Sequence, residues 1–362
     1  MNEGHVLLIH TGGTIGMEST DRGYQPRVGF LQQRLSEIPS FFNAADGGQV
    51  TQPSRFGRRV RYDILELEPL LDSANMSVDE WVRIARAIEE HYADYDAFVV
   101  LHGTDTMAYT ASALSFMLDN LGKSVVLTGS QIPLSRVRND AVDNLLGALL
   151  LAGHYVIPEV AIYFNDRLLR GNRATKVNSS GFDAFRSGNL PPLVQIGVDF
   201  DVRWDLVLPQ ARPAEPLRVL PITCDDVAAL RLFPSIASST LERFLQPPLQ
   251  GLVLETYGSG NAPDNRPSLH AALRQACDRG VVIVNRTQCQ TGMVTTQYAA
   301  GRVLGDLGVV PGADMTAEAA LTKLQWLLSQ GSDIEAVRAA MQVSLRGELT
   351  ELQATPRFSW RG

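Results

Sequence analysis

Between Val6 and about Phe164, short runs of aliphatic and β-branched residues alternate with longer stretches in which apolar positions recur at helical spacing. That alternation is the mark of a parallel sheet covered by helices, so an α/β fold is predicted. The first run, Val6 to Ile9, ends in Thr11-Gly12-Gly13-Thr14, and a later one, Phe98 to Leu101, ends in His102-Gly103-Thr104-Asp105-Thr106. Between them Ser77-Val78-Asp79-Glu80 has the form of a capping box, with Trp81, Ile84, Ala85 and Ile88 on one helical face. Helices over 108–121 and 141–152 and strands over 123–128 and 159–164 continue the rhythm. From Ser187 to Pro221 repeated prolines interrupt every candidate element and predict a linker. A second alternating block follows, with strands at 251–254 and 281–284 and helices at 267–279, 317–328 and, behind a Ser332 to Glu335 capping box, 336–343. The expected architecture is a larger N-terminal parallel-sheet domain over residues 1–210 and a smaller C-terminal α/β domain over 211–362.

Composition narrows the partners. With 32 Lys and Arg against 39 Asp and Glu, the net charge is -7, the wrong sign for a general phosphate-backbone binder. Nucleic acid and anionic membranes are therefore not expected. The three cysteines, Cys224, Cys277 and Cys289, are too few and too scattered for a disulfide framework or a zinc site. The N-terminal segment has neither the basic start nor the apolar core of a signal peptide, and the longest apolar stretch, 145–153, is about half of the ~20 residues a membrane span needs. A cytoplasmic location is the expectation. Residues 43–59, polar and carrying Arg55, Arg58 and Arg59, are expected to form a solvated surface loop.

Several familiar sites fail on spacing. Gly122-Lys123-Ser124 has Met117 where a phosphate loop needs glycine, and Gly258-Ser259-Gly260 has Pro263 where a dinucleotide fingerprint needs its third. No serine elbow and no close cluster of histidines and carboxylates is present in the sequence, so no metal or other cofactor is expected. What remains is a pair of strands that both end in loops of threonine and glycine. In open parallel sheets the ligand crevice lies at the carboxyl ends of the strands, which places Thr14 and Thr104 for chemistry. A threonine hydroxyl needs a base to act as a nucleophile. Tyr24, ten residues beyond Thr14, and Lys176, just past Arg170-Gly171-Asn172-Arg173, are the candidates. For Lys176 to serve, its pKa must fall from ~10.4 toward neutrality, which burial and the nearby Arg170 and Arg173 would favour.

The two loops, with Thr128-Gly129-Ser130-Gln131-Ile132-Pro133, Gly181-Phe182-Asp183-Ala184-Phe185, Asn189 to Leu193, Tyr257 to Pro263 and Leu345 to Thr350 in the same order, resemble the bacterial L-asparaginases, and their cytoplasmic type I branch in particular. The resemblance runs over nearly the whole chain and implies the asparaginase-like two-domain fold. It implies that Thr14 is the nucleophile of a covalent acyl intermediate, helped by Tyr24 on the loop behind it. Thr104, Asp105 and Lys176 match a second cluster, in which the lysine tunes the threonine and the aspartate meets the substrate ammonium. Gly13, Ser73 and Ala74 fall at substrate-binding positions, Ser73 where the α-carboxylate is held. Asn261 falls where relatives place an asparagine near the substrate amino group, often across a subunit interface, so a homodimer or homotetramer is implied.

Some positions depart from the pattern. Ala74 stands where a polar side chain is usual. Glu255 stands where allosteric bacterial members carry an arginine that grips a second asparagine, although Thr175 and Cys289 match the rest of that pocket. An acid there would repel a carboxylate, so weak or absent activation is expected. The predicted activity is release of ammonia from the side-chain amide of L-asparagine, with minor glutaminase activity. The rival readings are the amidase subunit of a tRNA-dependent amidotransferase, whose extra N-terminal domain has no counterpart ahead of Thr11, a non-catalytic sensor, and a nucleotide-binding protein.

Overall fold

The computed structural model describes residues 3–351, apart from Arg22, Phe56, Ala211 and residues 295–298. The chain divides into two compact units, Met1–Asp225 and Asp226–Gly362.

The first unit is built on one sheet of eight strands: β1 (Gly4–Gly12), β2 (Val60–Leu71), β3 (Ala97–Leu101), β4 (Val125–Thr128), β5 (Val160–Phe164), β6 (Arg167–Arg170), β7 (Val194–Ile196) and β8 (Phe200–Val202). In space the order is β8-β7-β6-β5-β4-β3-β1-β2. The five strands from β2 to β5 in this row pair in parallel, and β6, β7 and β8 are added antiparallel. Val6 and Leu8 of β1, Val99 and Leu101 of β3, Val126 and Ala161 join one core with α1 (Phe30–Ser36) and α4 (Ala141–His154). Their alternating neighbours Leu7, Ile9, Phe98, Val100, Val125 and Leu127 are equally buried on the opposite face. Helices α2 (Val78–Glu90) and α3 (Met107–Met117) complete the connections, and Trp81 Nε1 of α2 donates to Thr110 Oγ1 of α3 at 3.0 Å. The capping box at the start of α2 is present, with both the Ser77 and Glu80 bonds made.

The structure departs from expectation in three places. The proline-rich stretch read as a linker belongs to the first unit, where β7 and β8 extend its sheet. These strands are three residues long, fit between prolines, and are held by pairing with distant β6, so no local period marks them. Residues 43–59 are partly packed: a short hairpin pairs Phe42–Asn43 with Gly48–Gln49, Val50 and Thr51 are buried, and Arg59 forms an ion pair with Asp46. The last helix is capped by Asp333, which accepts from Ala336 N at 2.8 Å, one residue later than the expected Ser332. Asp is an equally good cap, and the spacing alone does not separate the two.

The second unit has a parallel sheet in sequential order: β9 (Val227–Arg231), β10 (Gly251–Thr256), β11 (Val282–Thr287) and β12 (Val310–Pro311). Leu252, Leu254 and Ile283 pack with residues of α5 (Ser238–Phe244) and α6 (Pro267–Asp278) in a core of its own. The helices α7 (Ala299–Asp306), α8 (Ala317–Ser329) and α9 (Ile334–Met341) follow. Lys323 of α8 and Glu348 are fully buried and pair with one another at 2.5 Å. No helix among the described residues is long and apolar enough to cross a membrane.

Candidate functional site

The order β2-β1-β3-β4-β5 reverses direction between β1 and β3, and the crevice of such a sheet opens at that reversal, beyond the carboxyl ends of the two strands. The two threonine loops leave from there. Thr11 Oγ1 donates to Leu101 O at 2.9 Å and ties the strand ends together. Beyond them the loops touch backbone to backbone. Gly13 has φ +81°, and a Cβ at that residue would lie 2.4 Å from Gly103 N. Only glycine allows both that conformation and that approach. Gly13 N donates to Leu71 O at 2.9 Å, which joins the end of β2 to the same point. Thr14 follows at the start of a single 3-10 turn, Thr14–Gly16, and is half-buried.

Ser73 and Ala74 lie in another 3-10 turn, Ser73–Asn75, held by Asp72, whose side chain accepts from Ala74 N at 3.1 Å. Ser73 is buried, its carbonyl accepts from Thr106 Oγ1 at 2.7 Å, and its Oγ is 2.5 Å from where a Gly103 Cβ would stand. Ser73 and the glycines of both loops thus converge. Tyr24 sits on the hairpin that pairs Met17–Thr20 with Gly23–Pro26; it is 38% exposed, with the Arg136 guanidinium 5.6 Å from its ring centre. No hydrogen bond among the described residues links it to Thr14.

The second cluster closes over 70 residues of sequence. Lys176 Nζ donates to Thr104 Oγ1 and to Asp105 Oδ1, both at 2.7 Å. The Lys176 side chain is 16% exposed and that of Asp105 is 66% exposed, so the carboxylate faces open solvent while the ammonium group is tucked beneath it. The Thr104 hydroxyl passes its own hydrogen to Gln131 Oε1 at 3.0 Å. Gln131 is held in turn: its Nε2 donates to Gly181 O at 3.2 Å and Asn178 O at 3.4 Å, and its backbone N–H meets both oxygens of buried Asp140. The sequence motifs give Gln131 no role of its own, yet its side chain accepts directly from Thr104. Thr175, beside Lys176 in the strand Ala174–Lys176, is part of the same unit. Arg170, expected to act on Lys176, has a carboxylate partner of its own. It is buried and engaged by Glu159, with Nε to Oε2 at 2.5 Å and Nη2 to Leu206 O at 2.7 Å.

Behind Thr104, His102 anchors the loop. Its Nε2 meets Thr110 Oγ1 at 2.8 Å and its Nδ1 meets Gly103 O at 2.7 Å, so a chain of polar groups runs from Trp81 to the backbone next to Thr104. Complete burial lowers the His102 pKa to about 4, and the ring is neutral at pH 7.

The remaining sequence candidates lie in the second unit. Asn261 closes a tight turn with Tyr257, whose N–H donates to Asn261 O at 2.9 Å; the turn uses glycines with positive φ at 258 and 260. Asn261 Oδ1 is buried without a partner among the described residues. Glu255 sits in register between Arg231 and Arg286 on neighbouring strands and accepts from Arg286 Nη1 at 2.6 Å. Cys289 N donates to Thr287 Oγ1 at 3.0 Å. No group of three potential metal ligands occurs among the described residues.

Comparison with known proteins follows the same division. Residues 5–208 match the family model of the asparaginase N-terminal domain, and residues 226–341 that of the glutaminase/asparaginase C-terminal domain. The chain is 48% identical to L-asparaginase 1 of Escherichia coli K12 over 97% of this chain and 99% of that protein. The crystal structure of L-asparaginase I from Vibrio cholerae matches with a TM-score of 0.86 and 44% identity, covering 97% of this chain and 100% of that one. The thermostable L-asparaginase from Thermococcus kodakarensis matches with a TM-score of 0.84 and 34% identity, covering 96% of this chain and 100% of that one. Fold, paired threonine loops and both domain matches agree: the chain belongs to the asparaginase family.

Proposed function

We propose that this protein hydrolyses the side-chain amide of L-asparagine to L-aspartate and ammonia, with minor activity on glutamine, through a threonine acyl-enzyme. The observation that carries the reading is the Thr104–Lys176–Asp105 cluster seated where the Thr14 turn meets it through Gly13 and Gly103. In this reading Thr14 Oγ attacks the amide carbon while Tyr24 assists removal of its proton. Backbone N–H groups near Thr104 receive the oxyanion, which is the largest single source of stabilisation in such reactions. The C–N bond breaks, the nitrogen gains the proton and leaves as ammonia, and water then cleaves the ester to restore Thr14. Lys176 tunes Thr104, and Asp105 accepts the substrate ammonium in a charge-assisted bond. Ser73, Ala74 and Gly13 frame the carboxylate end.

The L-asparaginase relatives support the substrate, and the same cluster supports hydrolysis over a purely sensory role. The protein is proposed to act as a homodimer or homotetramer in the cytoplasm, without a cofactor, and light scattering checks the assembly. The decisive assay couples ammonia release to purified protein with asparagine and glutamine as substrates. Thr14→Ala is expected to lose nearly all turnover of both. A Thr14→Ala enzyme with wild-type rates would remove Thr14 from the mechanism.

A further inference from the structure

Two neighbouring strands beneath the Thr14 turn each present a polar group that the proposed reaction does not use. His10 lies near the end of β1, four residues before Thr14, and the register of β1 with β2 sets it against Glu66. Side chains of registered residues in parallel neighbours stand on the same side of the sheet. For this pair it is the side of Leu8 and Tyr62, whose core also contains Ile15 and Leu31.

The imidazole of His10 is fully buried, and burial lowers its pKa to about 4. Its Nδ1 faces Gly12 N at 3.4 Å. A backbone N–H can only donate, so Nδ1 is the acceptor and the neutral ring carries its hydrogen on Nε2. That atom lies against the Thr14 turn: a Cβ on Gly16 would stand 2.5 Å from it. Nε2 is buried and has no acceptor among the described residues. Glu66 has the complementary deficit. Its Oε2 accepts from Gly29 N at 2.8 Å, while Oε1 is buried with no donor among the described residues. One atom needs an acceptor and the other a donor, and the sheet sets them side by side.

We propose that His10 Nε2–H and Glu66 Oε1 are joined through one bridging water, and that the pair is a strut positioning the Thr14 turn. One end of the strut holds Gly12 and Gly16, the residues on either side of Gly13 and Thr14. The other holds Gly29, which caps α1 and comes three residues after the hairpin that carries Tyr24. His10 and Glu66 are positioning residues, since neither touches the reacting atoms. Their effect on rate rests on Thr14 as nucleophile; the bond between them does not.

Two readouts keep those statements apart. In wild-type protein labelled with 15N-histidine, NMR is expected to show His10 as the neutral tautomer with hydrogen on Nε2, exchanging slowly with solvent. Glu66→Gln keeps the shape but replaces one acceptor with an N–H donor, so the bridging water must turn away from it, and the His10 Nε2 proton is expected to shift or exchange faster. A hydrogen on Nδ1, or an Nε2 proton untouched by Glu66→Gln, overturns the bond. In steady-state kinetics with asparagine, Glu66→Gln and His10→Phe are each expected to lower kcat about tenfold with KM within about twofold, less than the ~10²-fold that misplacing a reacting group by a full 1 Å can cost. The double variant is expected to be no slower than either single one, because a strut is lost only once. Losses that multiply, or a fall confined to KM, overturn the positioning role. Should Thr14→Ala remain active, the proposed reaction falls while the tautomer measurement still decides the bond.

Discussion

Lys176 serves two neighbours with one ammonium group, and this decides what its removal does. The ammonium orients the Thr104 hydroxyl, whose hydrogen is turned toward Gln131, and it holds Asp105 near the proposed position of the substrate amine. Lys176→Met is expected to lower kcat by ~10²- to 10⁴-fold, the range for loss of a group active in proton transfer. The thermal midpoint should stay nearly unchanged, because a pair with its carboxylate so exposed adds ~1 kcal/mol or less to stability. A comparable loss of rate and of melting temperature would mean that the lysine is structural. Glu255 carries the opposite expectation. Its carboxylate is already matched by Arg286, so a second asparagine finds an acid rather than a free cation there, and the asparagine rate curve should be hyperbolic. A sigmoidal curve would refute that. At this scale the motifs made Thr14, Thr104, Asp105 and Lys176 readable because each sits in a compact run of unusual residues. Gln131 lies in such a run as well, Thr128 to Pro133, but its contacts were not legible, since one side chain spans Thr104, Asn178 and Gly181. Nor does nearness in sequence to Lys176 reveal that Arg170 is paired with Glu159, eleven residues upstream and immediately ahead of the adjoining strand.

Between elements, the site depends on a loop that contributes no reacting group. After β4 the chain runs through Gly129 to Ile132, and Asp140 at the start of α4 gathers this segment. Its carboxylate accepts from Gln131 N, Ile132 N and Asn144 Nδ2, at 2.9 to 3.2 Å. A Cβ on Gly129 would lie 2.2 Å from His102 O, so the loop is pressed against the Thr104 strand end and cannot retreat without moving it. Asp140→Ala takes one acceptor from the part-buried N–H groups of Gln131 and Ile132 and from the buried Asn144 Nδ2, which keeps Gly129 O, at about 1–3 kcal/mol for each bond that water cannot replace. The expected result is a clear drop in thermal midpoint together with a fall in kcat, and restoration of part of both by Asp140→Asn, which keeps one acceptor. An unchanged kcat in a destabilised Asp140→Ala protein would separate this clamp from the site. The βα alternation that carries the loop was legible because long periodic helices and β-branched runs report their own burial. The antiparallel strands β7 and β8 were not, since they are short, bounded by prolines and specified by partners far along the chain.

At the level of the whole molecule the two units differ in how they meet acid. The described groups whose ionisation below neutrality is clearly shifted belong to the first unit. They include His102 and His154, both lowered chiefly by desolvation, and Glu80, lowered by its bond to Ser77. A lowered pKa in the fold means that the unfolded chain binds more protons over the interval between the two values, so stability rises with pH and is lost on acidification. For His102 the interval runs from 6.5 down to about 4. At about 1.4 kcal/mol per pH unit, that one buried ring removes roughly 3 kcal/mol from the first unit across it. Protonation would also set an N–H on Nε2 against Thr110, which already accepts from Trp81, and so disturb the backbone next to Thr104. In the second unit the shifted groups among the described residues are Cys277, raised to about 11 and so far outside this range, and Lys323, lowered by burial beside Glu348. Hydrogen exchange read by mass spectrometry at pH 7, 5.5 and 4.5, corrected for the intrinsic rate, should therefore show protection fading first over residues 97–102 and 125–128. Residues 251–256 and 282–287 should hold theirs to lower pH. Loss of both sets together would show that the chain unfolds as one cooperative body, and persistence of the first set at pH 4.5 would show that His102 takes up its proton without cost.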